Sequence, residues 1–273
     1  MKFNCGITGH TGVLGSELIK KNNIIKFIKF YGDITNKKHV NDWLVKSDIN
    51  MVFHLAAIVP TEVVKKEPKK ANKVNYLGTK ILIDELIKSK KIKWFFFSST
   101  SHVYKFSQKK VNEKSRLEPS SLYGLTKLKA EMYIQKKLKK AKIPFCIGRI
   151  FSFTHKKQTS DFVIPSIIKK AKSNKKIVCF ENTNHYRDFL STGDVCKAIN
   201  ILFKKKAHGI YNIGSGKKIL ISYIIKLIFQ KYKKIYKINK KNKSSMLVAD
   251  ISKIRKFKWK PKNNILSIIN ELT

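Results

Sequence analysis

The fold class of this chain is decided near its N-terminus by residues 1–15, MKFNCGITGHTGVLG. An apolar run over residues 1–7 leads into glycines at positions 9, 12 and 15, and a helical apolar pattern follows through Leu18 and Ile19. In a strand–turn–helix unit, such glycines permit a tight turn, let the backbone approach a pyrophosphate at the helix N-terminus, and allow close helix–strand packing. Three glycines can also form a plain turn, but a strand before and a helix after are the context that the phosphate-binding motif requires.

A second informative stretch is YGLTK, residues 123–127. Tyr123 and Lys127 stand one helical turn apart and therefore share a helix face, and Ser120 or Ser121 could cap that helix. A free phenol titrates near pH 10, so holding its anion ready near neutrality needs about 4 kcal/mol, much of which an adjacent ammonium can supply. A Tyr followed four residues later by Lys occurs often by chance in a chain this rich in Lys. The motifs around the pair are what make a functional interpretation stronger.

Short apolar runs alternate with amphipathic helical stretches along the chain, which indicates an α/β fold with a parallel sheet. The apolar runs cover residues 51–55, 94–97, 145–150, 176–180 and 210–213. The helical stretches cover about residues 36–46, 69–90, 121–141, 162–173, 194–204 and 219–232.

The spacing G-x-x-G-x-x-G together with Tyr-x-x-x-Lys resembles the extended short-chain dehydrogenase/reductase family, which includes NAD-dependent epimerases and dehydratases of nucleotide sugars. The resemblance covers nearly the whole chain, because further motifs follow in the family's order. These are GDI (32–34), HLAA (54–57), NYLGT (75–79), SST (98–100), VY (103–104), PSS (119–121), RDF (187–189), GDV (193–195), YNIGSG (211–216), DISK (250–253) and WKP (259–261).

The resemblance implies a Rossmann-like, doubly wound parallel sheet with a smaller C-terminal α/β substrate lobe. The dinucleotide-binding domain is expected over residues 1–150 and the lobe over residues 151–273, intertwined with the first. The implied cofactor is NAD or NADP. Its implied contacts are Gly9, Thr11, Gly12, Val13, Leu14, Gly15, Asp33, Ile34, Leu55, Ala56, Ala57, Asn75, Tyr123 and Lys127.

The choice between NAD and NADP depends on the second predicted strand, residues 24–31. An NAD-selective site usually has an acidic residue at the end of this strand to accept the ribose 2′-hydroxyl, and none is present before Asp33. Lys26 or Lys29 could instead accommodate a 2′-phosphate, or could simply be solvated. The choice of cofactor therefore stays open at this point.

The family's catalytic residues carry over onto three positions. The resemblance implies that Tyr123 is the acid/base, that Lys127 lowers its pKa and binds the nicotinamide ribose, and that Thr100 hydrogen-bonds the reacting sugar oxygen. Thr100 could alternatively be a strand-end hydroxyl that satisfies backbone groups. The implied substrate contacts are Thr100, Ser101, His102, Ser152 and Arg187, with Arg187 on the substrate diphosphate.

Departures from the family pattern bear on the reaction. The 4,6-dehydratases have Asp or Ser and then Glu after the catalytic Thr, whereas this chain has Ser101 and His102. Dehydration therefore ranks behind epimerisation and ketone reduction. Residues 240–245 lack the Arg-x-Gly-Asp pattern that epimerases of UDP-sugars use around the nucleotide.

The leading hypothesis is an NAD(P)-dependent nucleotide-sugar epimerase or 4-ketoreductase that supplies activated sugars for a surface polysaccharide. The alternative is a non-catalytic dinucleotide-sensing or RNA-associated protein on the same fold. A homodimer is expected from the family, with helices over about residues 75–90 and 121–141 at the interface. No metal site is predicted.

The formal net charge of +42 raises the question of nucleic-acid binding. Only four of the 59 basic residues are Arg, and the Lys residues are spread over every predicted helix. Because nucleic-acid surfaces normally rely on Arg, a solvated Lys coat without a specific nucleic-acid partner is expected. Of the four Arg residues, Arg149 could be functional or structural, while Arg116 and Arg255 are expected at the surface.

The four cysteines stand singly, without a Cys-x-x-Cys pair or a His at metal spacing, and are expected as buried thiols in a reducing compartment. The first strand begins at residue 1, and no apolar run approaches the ~20 residues of a membrane span. These features predict a soluble, cytoplasmic protein.

Overall fold

A computed structural model describes residues 3–59, 61–239 and 244–273 of the chain. Its strands are β1 (Phe3–Thr8), β2 (Ile25–Lys29), β3 (Met51–His54), β4 (Trp94–Thr100), β5 (Phe145–Ile150), β6 (Ser152–Thr154), β7 (Ile177–Phe180), β8 (His185–Arg187), β9 (Phe189–Ser191), β10 (Gly209–Ile213), β11 (Ile219–Leu220), β12 (Ile235–Ile238) and β13 (Ser245–Leu247). Its α-helices are α1 (Val13–Lys20), α2 (Lys37–Lys46), α3 (Thr61–Lys66), α4 (Pro68–Asn72), α5 (Thr79–Ser89), α6 (Leu122–Lys140), α7 (Val163–Ala171), α8 (Thr192–Lys204), α9 (Ile221–Lys231), α10 (Ser252–Arg255) and α11 (Ile265–Leu272). A π-helical turn (Lys73–Gly78) joins α4 to α5, and a 3₁₀ turn (Ser101–Val103) follows β4.

The central sheet has the strand order β10-β5-β4-β3-β1-β2, and all of its pairs are parallel. Its strands read as continuous apolar runs, such as WFFF at 94–97, because helices cover both faces. Leu14, Leu18 and Leu202, from α1 and α8, belong to the core on one face. The core on the other face includes Leu82 of α5 and Ile134 of α6. This is the doubly wound α/β fold that the sequence predicts.

Most of the chain after residue 150 forms a smaller lobe around the short sheets β11-β8-β13, β12-β7 and β6-β9. Ile224, Ile225 and Phe229 of α9 centre its own apolar core. One strand of this half leaves the lobe, because β10 pairs with β5 and extends the central sheet. A division at about residue 150 stays a prediction, and the two halves are interleaved where α8 packs on the central sheet and β10 extends it.

Several local predictions can be compared with the structure. The Ser121 hydroxyl caps α6 by accepting a hydrogen bond from the backbone N–H of Gly124 at 3.1 Å, as predicted. The prediction of four buried cysteines was wrong for Cys179, which is exposed. Alternation along β7 turns Val178 and Phe180 inward and Cys179 outward. No helix among the described residues is both long and apolar enough to cross a membrane.

Candidate active site

The glycine-rich turn between β1 and α1 forms one end of the candidate site. Gly9 has φ = +74°, and a Cβ there would lie 2.5 Å from the backbone nitrogen of Ala56. A side chain on Gly15 would collide with the carbonyl of Gly9. Gly12 is different, because its Cβ would meet only the Gly9 oxygen, at 3.4 Å, and the residue is exposed. Two glycines thus hold the turn closed, while Gly12 leaves an open approach to the N–H groups that begin α1.

The exposed Thr11 and the half-buried Val13 lie at this opening, and Leu14 turns into the core. An open glycine at a helix N-terminus, with free first-turn N–H groups, is the arrangement that binds a dinucleotide pyrophosphate. The residues present therefore fit such a cofactor.

Residues 55–57 after β3 form the floor beside this turn, and hydrogen bonds fix their backbone. The N–H of Leu55 bonds to the carbonyl of Thr8 at 3.2 Å, and the N–H of Ala56 bonds to the Thr8 hydroxyl at 3.3 Å. Ala57 is half-buried beside them. The Asn75 side chain brackets Ile58, accepting from its N–H at 2.8 Å and donating to its carbonyl at 2.9 Å. The Asn75 side chain therefore fixes the backbone of the segment that follows β3.

His54 sits beneath this floor as a fully buried, neutral imidazole. The Thr79 hydroxyl donates to the Asn75 carbonyl, so it accepts from the His54 Nε2–H, 2.8 Å away. Nδ1 then accepts from the Thr8 hydroxyl at 2.6 Å. Burial, followed by the charge of Lys127, lowers the pKa of His54 to about 3. The imidazole therefore links β1, β3 and α5 without carrying a charge.

Asp33 and Ile34 follow β2, which lies beside β1 on the side away from β3. Ile34 is buried, and its side chain would meet any Cβ on Gly78. Asp33 is exposed, and its carboxylate accepts from both the N–H and the hydroxyl of Thr35. These hydrogen bonds lower the pKa of Asp33.

Tyr123 and Thr100 meet at the carboxyl end of β4. The Thr100 hydroxyl lies close enough to the Tyr123 phenol to lower the pKa of that phenol, and it accepts the N–H of His102 at 3.2 Å. Both residues are buried, with 8% and 5% of their surfaces exposed. Burial raises the pKa of Tyr123, and the nearby Thr100 hydroxyl opposes that rise. The geometry thus unites two of the three predicted catalytic residues.

Lys127, one turn further along α6, is 1% exposed. Its Nζ lies 4.0 Å from the centre of the Phe97 ring. Burial lowers the pKa of Lys127 to about 7, and the charge of Glu131 opposes the shift. The expected lowering of the Tyr123 pKa by Lys127 stays a prediction, because the group that lowers this pKa in the structure is the Thr100 hydroxyl.

The predicted substrate residues line the side that faces the smaller lobe. Ser101 is buried in the 3₁₀ turn, and the ring centre of His102 lies 5.9 Å from that of Tyr123. Burial, followed by the charge of Arg187, lowers the pKa of His102, so the structure brings Arg187 towards this site. Ser152 is half-buried and pairs in register with Phe189, two residues after Arg187.

Arg187 is held without an acidic partner in any ion pair of the described residues. Its guanidinium donates to the carbonyl of Tyr186 and to Ser245, and lies 4.9 Å from the centre of the Phe106 ring. Burial lowers the pKa of Arg187 to about 10. A partly desolvated guanidinium of this kind is suited to binding an anion such as a phosphate.

A buried ion pair behind the site was not predicted. Glu131, two turns after Tyr123, accepts from Arg149 Nε and Nη2, with the shortest contact at 2.7 Å, and also bonds to the Ser99 hydroxyl. Arg149 and Glu131 are 1% and 0% exposed at their side chains. Arg149 therefore has the structural role that sequence reasoning left open. The spacing of four from Lys127 was the signal that could have revealed Glu131.

Asp188 is a second residue whose importance was missed, although it stands within a motif noted in the sequence. Its buried carboxylate accepts four hydrogen bonds, from the N–H and hydroxyl of Ser215 and from the N–H groups of Gly216 and Ala249. It thus ties the loops at 215–216 and 249 to the strand that carries Arg187.

Comparison with known proteins shows what the chain is similar to. The model of the family described as GDP-mannose 4,6 dehydratase matches residues 10–272, which is nearly the whole chain. A dTDP-D-glucose 4,6-dehydratase of Dictyostelium discoideum is 31% identical over 201 residues, covering 68% of this chain and 46% of that protein. This chain thus aligns with about half of that relative. A putative UDP-glucose 4-epimerase of Methanocaldococcus jannaschii is 26% identical over 97% of this chain and 96% of its own.

Among solved structures, RMD from Pseudomonas aeruginosa, complexed with NADPH, superposes with a TM-score of 0.90. The match covers 99% of this chain and 97% of that chain at 20% identity. The two proteins share a fold. Other neighbours with the same fold were crystallised with NAD.

Proposed function

The chain belongs to the GDP-mannose 4,6-dehydratase family of NAD-dependent epimerases and dehydratases, and on this premise we propose that it is an NAD(P)-dependent nucleotide-sugar epimerase or 4-ketoreductase. The observation that carries the proposal is the closeness of the buried Tyr123 phenol to the buried Thr100 hydroxyl, with Lys127 one turn further along α6. A buried phenol beside a second hydroxyl can exchange a proton with a substrate oxygen placed between them.

The cofactor, NAD or NADP, supplies a nicotinamide that accepts or donates hydride at the sugar carbon. Gly12 and the N-terminus of α1 would bind its pyrophosphate, and Lys127 would bind its ribose. Tyr123 then moves the proton on the sugar oxygen and Thr100 orients that oxygen. Arg187 neutralises the diphosphate of the nucleotide sugar.

The residues after Thr100 support epimerisation or ketone reduction over dehydration. His102 occupies the position at which the dehydratases carry Glu. Its pKa is lowered by burial and by Arg187, so at neutral pH it carries no charge. Residues 240–243, within the loop that departs from the pattern of UDP-sugar epimerases, lie outside the described residues.

The test is turnover of the purified protein on nucleotide sugars and 4-keto sugars with each nicotinamide cofactor. Net oxidation of NADH or NADPH by a 4-keto sugar establishes a reductase, and interconversion of C4 epimers without net cofactor change establishes an epimerase. Tyr123→Phe is expected to abolish either activity, whereas Tyr223→Phe, at an exposed tyrosine of α9, leaves it intact. Dinucleotide binding without turnover on any sugar would instead support a sensing protein.

A further inference from the structure

The end of β2 next to the glycine-rich turn carries information about which cofactor binds. In dinucleotide-binding sheets the 2′-position of the adenosine ribose lies here, where an acid accepts a hydroxyl and a basic group accepts a phosphate. The strand and the residues after it read Ile25-Lys26-Phe27-Ile28-Lys29-Phe30-Tyr31-Gly32, without an acid.

Asp33, the first acid beyond this strand, is already engaged. Its Oδ1 accepts from the N–H of Thr35 at 2.8 Å, and both of its oxygens lie within 3.0 Å of the Thr35 hydroxyl. The positive charge of Lys73 acts on the same carboxylate and helps to lower its pKa. The carboxylate therefore stabilises its own turn and lies near a lysine.

His10, in contrast, has a ring nitrogen to which no described residue hydrogen-bonds. It lies in the glycine-rich turn with its ring centre 4.6 Å from that of Tyr31, and its Nδ1 is buried without a hydrogen bond to the described residues. Tyr31 is 79% exposed, so the ring that covers His10 can move aside. A buried nitrogen without a hydrogen bond raises the free energy of the folded protein, and a ligand that accepts or donates a hydrogen bond there removes this cost.

Lys29 adds a cation on the same side. The β1–β2 ladder continues past Lys29, since the Phe30 N–H bonds to the Ile7 carbonyl at 2.9 Å. Side chains two residues apart share one face of a strand, so Lys29 and Tyr31 face the same side, and Lys26 faces the other.

We propose that this chain selects NADP over NAD, and that His10 and Lys29 bind the 2′-phosphate of NADP. The Asp33 carboxylate is held by Thr35 and does not take the place of that phosphate. The inference rests on the dinucleotide-dependent function proposed above and sharpens it. A net reduction oxidises one NADPH in each turnover and exchanges it for a fresh molecule. Selectivity for NADP therefore favours the 4-ketoreductase over the epimerase.

The strong positive charge of the whole chain would attract any additional phosphate, and the experiment has to separate this effect from recognition. Calorimetric titration with adenosine 2′,5′-bisphosphate and adenosine 3′,5′-bisphosphate does so, because the two ligands carry the same charge and differ only in phosphate position. We expect the 2′,5′ isomer to bind at least about tenfold more tightly, as one or two charge-assisted hydrogen bonds provide. NADPH should exceed NADH by a similar factor.

Variants assign the preference to residues. His10→Ala and Lys29→Met should each reduce the ratio between the two bisphosphates by about fivefold or more, while the affinity for NADH changes little. Lys26→Met, on the opposite face of the same strand, should leave the ratio unchanged and serves as the matched control. Retained NADH binding shows that a variant is folded.

Equal affinity for the two bisphosphates, or tighter binding of NADH than of NADPH, would overturn the proposal while leaving the proposed enzyme function intact. A ratio that survives both substitutions would also overturn it. Failure of every dinucleotide to bind the wild-type protein would overturn the proposed function together with this inference.

Discussion

The Lys127 ammonium lies 4.0 Å from the centre of the Phe97 ring, and the imidazole of His54 stacks on the same ring with its centre 5.6 Å away. An aromatic face attracts a cation but does not replace its hydration. The carboxylate whose charge opposes the shift, Glu131, is also bound to Arg149. The protein therefore buries a lysine whose charge is incompletely compensated.

Lys127 should consequently make the stability of the protein depend on pH. Its pKa is about 7 in the folded protein, compared with an ordinary value near 10.4 in the unfolded chain. Between these values the unfolded chain binds more protons, so this group's contribution to the free energy of unfolding rises from pH 7 to pH 10. Lys127→Met should be more stable than wild type at pH 7, by a few kcal/mol, and the difference should shrink by pH 10.

Urea unfolding at pH 7 and pH 9.5 measures this difference. Lys226→Met, at an exposed position in α9, is the control and should show no such trend. A Lys127→Met protein whose advantage is the same at both pH values would contradict the assignment.

The effect of Thr100 on Tyr123 should be visible in the pH dependence of turnover. The Thr100 hydroxyl lowers the pKa of the Tyr123 phenol, which burial raises. Thr100→Val should therefore move the Tyr123 ionisation in the profile of kcat/KM to higher pH and decrease the neutral-pH rate by about 10- to 100-fold. Thr159→Val, in an exposed loop, provides the control. An unshifted profile would mean that Thr100 only satisfies backbone groups.

The ion pair of Arg149 with Glu131 should matter most when only one partner is removed. Arg149→Met leaves a buried carboxylate uncompensated and should destabilise the fold by about 3–5 kcal/mol. The double variant Arg149→Met/Glu131→Leu removes both charges and should recover much of that loss. Thermal or urea unfolding of wild type, of Arg149→Met and Glu131→Leu singly, and of the double variant measures the coupling, and additive losses would show that the pair acts as two independent residues.

The sequence predicted the central sheet well, because its buried strands are uninterrupted apolar runs and the helices between them are amphipathic. It also singled out Tyr123 and Thr100, since both belong to motifs in a known order, and the fold brings these two residues to one end of β4. One physical reason explains why the sequence did not predict the roles of Glu131, Arg149 and Asp188. Their roles depend on hydrogen bonds between residues 18 to 61 positions apart in the chain, such as Ala249 to Asp188.

The lowered pKa of Lys127 could not be predicted from the sequence either, because it too depends on tertiary contacts. A pattern of Tyr and Lys one turn apart states that the two share a face, but not how deeply the face is buried. Burial is decided by β4, which places Phe97 against the ammonium. The prediction of burial failed at Cys179 because side chains alternate along β7, so that Val178 and Phe180 face the core and Cys179 faces outward.

Asp188 should be needed for the position of Arg187. Asp188→Asn replaces one acceptor oxygen with an NH2 group that faces backbone N–H donors, so at least one hydrogen bond is lost. We expect destabilisation by about 1–3 kcal/mol and weaker binding of the nucleotide diphosphate. Calorimetric titration with nucleoside diphosphates measures the second effect. Asp161→Asn, at an exposed position, is the control, and unchanged affinity in Asp188→Asn would contradict the positioning role.

The expected homodimer has a specific surface on which it can be tested. Leu122, Leu125 and Met132 of α6 are 46%, 39% and 62% exposed. Their spacing of three and seven places them on one stripe of the helix. Leu77, 40% exposed, lies in the π-helical turn that packs beside α6. Exposed apolar side chains arranged in a stripe mark a surface that is stabilised by a partner.

We therefore expect a dimer in light-scattering chromatography, and a monomer for Leu125→Lys/Met132→Lys, because burying two ammonium groups at the interface is strongly unfavourable. Tyr223→Lys, at a 42% exposed aromatic residue of α9, adds charge to a different surface and should leave the dimer intact. A dimer that survives the double substitution would place the interface elsewhere, while a wild-type monomer would refute the expectation. Leu125 and Met132 are exposed whereas Thr100 and Tyr123 are buried, so dinucleotide binding by the monomeric variant would show that the site is complete within one chain.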